Sequence, residues 1–172
     1  FQRAYVALLT RADLRAEFHH DPRTALRPFG LSERAESALR DLDARALERF
    51  ARSLVAKRWR ALRGCVPLTL RVCPSLPALH RTWAERSPDP GHDAPLSPGT
   101  HEGHRALEPL RRAILEEGLA PPYAADLFTF EVLRAGARRD GRPRTFSARY
   151  RVHAIAEAVA AGTPPIDPDL EA

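Results

Sequence analysis

The chain has 172 residues, enough for one domain or two small ones with a real core. Hydrophobic residues make up 44% and charged residues 28%, the balance of a soluble globular protein, and no apolar run approaches the roughly 20 residues that span a bilayer. The net charge is +5, and the basicity is nearly all arginine, Lys57 being the only lysine; a GC-rich genome produces such a composition, and it also suits an anionic partner such as an acidic peptide or protein surface.

Phe1–Leu9 is amphipathic, and Phe1 falls inside the pattern, so the native chain is expected to begin upstream. No secretory signal pattern is visible, and the cytoplasm is the expected compartment. Thr10 and Asp13 read as cap and first-turn residues of a second helix through Phe18. Asp21-Pro22 sets an N-cap before an N1 proline, and Gly30 ends that helix. Ser32 caps a short helix with Ala35 and Leu39 inward. Asp43 starts the longest helix, which Gly64 stops.

On that helix Leu47, Phe50, Ala51, Leu54, Val55 and Leu62 follow core spacing. Arg45, Arg49, Arg52, Arg60 and Arg63 share a stripe on the other side, with Trp59 at its edge. The stripe reads either as a solvated arginine face or as a partner-docking surface, with Arg49, Arg52, Trp59 and Arg60 as its contact residues. Residues 65–87 are broken by Pro67, Pro74 and Pro77 around one amphipathic helix carrying Leu76, Leu79, His80 and Trp83. Cys65 and Cys73 have neither zinc nor redox spacing and read as buried, reduced thiols.

Residues 88–103 form a Pro- and Gly-rich connection that Leu96 could pin to the body. It divides a helical module over 1–87 from a second one over 104–172. Helix resumes near Glu102 and ends at Gly118. Pro121-Pro122 opens a helix through about Ala137 that is apolar almost all round, with Asp126, Glu131 and Arg134 expected to form structural ion pairs. Asp140-Gly141 then reads as a turn. Beyond it Phe146, Ala148, Tyr150 and Val152 alternate with Thr145, Ser147, Arg149 and Arg151, the pattern of a half-buried strand. A short helix over His153–Ala161 and an extended acidic tail follow. The fold class expected is mainly α with a small antiparallel sheet, winged-helix-like.

His101-Glu102-Gly103-His104 resembles a fragment of the zinc-protease motif, but its histidines are three apart rather than four. His92 and Asp93 lie nearby in sequence. His19-His20 reads as solvated and His80 as a core residue satisfied by a backbone carbonyl. No phosphate loop, nucleophile elbow or paired-carboxylate signature appears. The chain is therefore expected to hold no catalytic residue, metal or cofactor of its own. A winged-helix DNA-binding regulator is the first alternative, its wing formed by the arginines from Arg138 to Arg151. The helix before that wing lacks the basic face a recognition helix needs, so nucleic acid is an unlikely partner.

Two segments resemble known families. LLTRADLRAEFHHDPRTALRPFGLSERAESALRDLD, from Leu8 to Asp43, resembles the helical small subunit of two-subunit ring-opening dioxygenases, which gives a second alternative function. From about Leu47 to Pro168, FARSLVAKR, VPLTLR, LHRTWAERSP, YAADLFTFEVLRA and RYRVHAIAEAVAAGTPPIDP resemble the partner proteins of multinuclear non-haem iron oxygenases in ribosomal peptide maturation, of the methanobactin type. That second resemblance implies a non-catalytic subunit that clasps an iron enzyme and holds a precursor's leader peptide, partly by strand pairing. The iron would sit in the partner enzyme. The residues expected to hold the peptide are Thr145, Ser147, Arg149, Tyr150 and Arg151. The fused N-terminal module has no counterpart in those partner proteins.

Overall fold

The computed structural model describes residues 1–87 and 98–163. Among these the chain forms ten α-helices: α1 Gln2–Thr10, α2 Ala12–His20, α3 Pro22–Leu26, α4 Glu33–Arg40, α5 Ala44–Arg63, α6 Thr69–Val72, α7 Leu76–Ala84, α8 Pro98–Glu117, α9 Ala124–Asp140 and α10 Val152–Ala161. No described helix is long and apolar enough to cross a membrane. Two compact units emerge, 1–57 with 81–87, and 58–80 with 98–163. The division falls inside α5. Of the expected connection, 88–97, with His92, Asp93 and Leu96, lies outside the described residues, as do the His101 side chain and the tail beyond Thr163, while 98–103 opens α8.

In the first unit Ala4, Leu8, Leu14, Phe18, Leu26, Leu39 and Leu47 form one core. The starts and stops follow local chemistry. Asp21 accepts the N–H groups of Arg23 and Thr24, Ser32 Oγ that of Ala35, and Asp43 that of Arg45. Gly30, at φ 56°, closes the turn after α3 in the left-handed region. Thr10 is not a cap. Its hydroxyl donates back to Val6 O within α1. The buried Arg15 instead holds the end of α1, donating to Leu8 O and Leu9 O while its Nε pairs with Glu48 at 3.0 Å. Phe50, expected inward, is 59% exposed, because it stands at the margin of the arginine stripe rather than among the core positions of α5.

The second unit is built on α9, whose residues from Ala124 to Val132 are all buried. Tyr123, Leu127 and Phe130 pack with Tyr150, Val152, Ile155, Ala156 and Val159 of the following segment and α10. The expected sheet does not appear among the described residues: none lies in a strand, Tyr150 alone carries an isolated bridge, and no hairpin or wing forms among them. Asp140-Gly141 is not a hairpin turn. Helix α9 runs through Asp140, and Gly141, at φ 68°, is its left-handed C-terminal cap, with its N–H bonded to Ala137 O. The 145–150 segment keeps the expected alternation, Phe146, Ala148 and Tyr150 lying inward of Thr145, Ser147 and Arg149. Its anchor is a side chain. Asp126 Oδ2 accepts the backbone N–H groups of Arg149 at 2.7 Å and Tyr150 at 3.2 Å.

Candidate functional site: grooves beside the 145–151 segment and helix α10

Two carboxylates of α9 hold non-helical backbone in place. Asp126 binds the 149–150 amides, and Glu131 accepts Leu68 N–H at 2.8 Å, Thr69 N–H at 2.7 Å and the Thr69 hydroxyl at 2.8 Å. Ion pairing was the expectation for both residues. Main-chain donors take that place, and Arg134 is exposed, its guanidinium 5.6 Å over the Phe130 ring. Burial raises the Glu131 carboxyl above its ordinary range, against the pull of those hydrogen bonds and of Arg134.

A second buried polar centre links α5, α7 and α8. Arg58 Nε donates to both Glu102 oxygens, at 3.0 and 3.1 Å, and His80 Nε2 lies 2.9 Å from Glu102 Oε1. His80 is therefore satisfied by a carboxylate, not by the expected backbone carbonyl. Burial works to raise the Glu102 carboxyl, but the His80 hydrogen bond and the Arg58 charge outweigh it and hold the group below its ordinary range. His80 is fully buried, and the Trp59 ring lies 5.3 Å from it. This arrangement clamps three helices.

The grooves among the described residues lie elsewhere. Phe146, Ala148, Tyr150 and Arg151 line a groove of about 480 Å³ completed by His153 and Glu157 of α10. Of the residues expected to hold a peptide, Tyr150 and Arg151 lie in this groove. Thr145, Ser147 and Arg149 are exposed on the outer side of the segment, with the Arg149 guanidinium 5.5 Å over the Tyr150 ring. From Thr145 to Ala148 the backbone makes no hydrogen bond among the described residues. A second groove, of about 570 Å³, is lined by Leu68, Phe130, Arg134 and Ala156, and again by His153 and Glu157. His153 packs edge-on to Phe130 at 4.8 Å. The shared residues follow an i, i+4 spacing on the exposed face of α10, a signal present in the sequence but unread in a helix that short.

The expected partner-contact residues all lie on α5. Arg49 and Arg52 are exposed and join His19 and Glu48 around a shallow pocket of about 350 Å³; Arg60 is exposed, and Trp59 is half-buried. Cys65 and Cys73 are free thiols. Burial, then the nearby Glu131 charge, pushes the Cys65 thiol up, away from the thiolate a nucleophile needs. Among the described residues no group of three or more His, Cys, Asp or Glu side chains is placed to hold a metal ion. Comparison with known protein families, curated proteins and solved structures finds no match.

Proposed function

We propose that the protein is a non-catalytic partner subunit that binds an extended precursor (leader) peptide and presents it to a separate multinuclear non-haem iron oxygenase. One observation carries the peptide part of this reading. The Thr145–Ala148 backbone alternates its side chains as a strand does, yet its donors and acceptors are unengaged among the described residues, and its inner face opens on a groove. Such a segment is a template for an added strand: main-chain bonds supply affinity, and the groove reads alternate side chains. Arg149 and Arg151 give the template a cationic border suited to an acidic leader. The oxygenase part rests on the sequence resemblance and on the exposed arginine face of α5.

The test is co-expression with the genomic neighbours, followed by calorimetry with whatever peptide co-purifies. An iron oxygenase and a short peptide should copurify. Ser147→Pro removes one donor that makes no bond among the described residues, and should weaken the peptide, as should Arg149→Glu with Arg151→Glu. Full affinity in both variants, with unchanged circular dichroism, would move the peptide site away from this segment.

A further inference from the structure

We propose that the groove between α9 and α10 is a second subsite for the same peptide, and that it takes an apolar side chain adjoining a carboxylate. The inference rests on the peptide-binding reading above and adds which residues the peptide must carry.

Three features carry it. The first is adjacency: His153 and Glu157 line both grooves, so the two lie side by side along the exposed face of α10 and one extended chain can reach both. The second is the floor. Leu68, Phe130 and Ala156 offer apolar surface at the size of ordinary ligand sites. The third is charge. Arg134 is exposed and, among the described residues, forms no ion pair or hydrogen bond; it lies over the Phe130 face and in the field of Glu131. A guanidinium held over an aromatic ring at the edge of an apolar groove is built to receive a carboxylate bidentately. Arg151, at the mouth of the first groove, likewise forms no ion pair among the described residues. Glu157 is the one acidic side chain in either lining. It opposes the carboxylate and sets its place at the Arg134 end, away from α10.

The experiment uses labelled, end-blocked synthetic peptides with an alternating threonine–valine core, flanked at both ends by leucine–glutamate, leucine–glutamine or leucine–lysine, and the bare core as reference. Binding to the full chain is read by fluorescence anisotropy. The leucine–glutamate peptide should bind about tenfold tighter than the leucine–lysine one, the size of one charge-assisted hydrogen bond. Arg134→Gln should abolish that preference and Arg134→Glu invert it. Glu157→Gln should tighten the leucine–glutamate peptide, a gain that a merely structural role for Glu157 does not produce. If the core binds and neither flank nor Arg134 alters its affinity, the second subsite is wrong and the strand-template reading stands. If no peptide binds and the fold is intact, both fall.

Discussion

Asp126, in the first turn of α9, accepts the main-chain N–H of Arg149 at 2.7 Å, twenty-three residues further along the chain. That contact anchors a segment that has no strand beside it among the described residues. A carboxylate with two amides on one oxygen does locally what a ladder of strand bonds does elsewhere.

Asp126→Ala should therefore cost about 3 kcal/mol, since it removes the acceptor of two amides, one of them buried. Urea denaturation measures the loss, and hydrogen exchange should quicken first at Arg149 and Tyr150. Asp126→Asn keeps one acceptor oxygen and should lose less.

The two buried glutamates predict opposite pH behaviour. Glu102 is depressed below its ordinary 4.5, so its stabilisation is present above pH 4.5 and is lost as pH falls through its lower folded value. Glu131 is raised, so the stability it contributes is full below pH 4.5 and declines as pH rises through its higher folded value. Glu102→Gln should flatten the acid limb and cost about 3 kcal/mol near neutrality, by removing the charge that Arg58 and His80 share in a buried site. Glu131→Gln should remove the decline above pH 4.5. Stability measured at several pH values in each variant checks both signs.

Gly103 and Gly136 should both resist alanine. A Cβ at Gly103 would meet Val132 Cγ1 at 3.1 Å, and Val132 is a buried, β-branched residue with nowhere to move. At Gly136 the close atoms are Nε of Arg144 and Nε2 of His104, both at 3.0 Å and both buried, and the Arg144 guanidinium beyond its Nε is tied to Asp140. Helix propensity returns about 1 kcal/mol at either site. Each substitution should still be destabilising, by about 1–2 kcal/mol net, as thermal denaturation would measure.

On α5, Trp59→Ala should lower stability by about 2 kcal/mol, because the ring packs on buried His80. It is therefore a poor probe of partner docking. Phe50→Ser and Arg49→Glu, both at exposed positions, should leave the melting temperature unchanged. If the face docks the oxygenase, Arg49→Glu slows association and weakens its salt dependence, while Phe50→Ser speeds dissociation. Surface plasmon resonance with the co-purified partner separates the two effects.

The helices were legible because their signals are local. Asp21-Pro22, Ser32, Asp43, Gly30 and Gly118 each act within a turn of where they stand. The alternation from Thr145 to Tyr150 was legible too, and correctly sorted inner from outer residues. What stabilises that alternation was not, because period two records which side is buried and not what the main chain is bonded to. Asp126 and Glu131 were visible as charges on an apolar helix. Their partners, main-chain amides 24 and 63 residues away, carry no side-chain signature at all. The same holds for Glu102, which the sequence offers inside a fragment like the zinc-protease motif and the fold uses as the counter-ion of Arg58 and His80.

The anchor at Asp126 also fixes a length. Fifteen helical residues separate Asp126 from Gly141, about 22 Å of axial travel. The chain must come back over that distance between Gly141 and Arg149, eight residues that reach about 26–29 Å at full stretch. The segment is thus a strap with little slack between its two ends, and among the described residues no neighbouring strand holds it straight. A strap with so little slack tolerates changes of residue far better than changes of number. Removing two residues from 142–148 must either pull Arg149 off Asp126 or unwind the last turn of α9, whereas adding two lets the line bow outward and lose its in–out order.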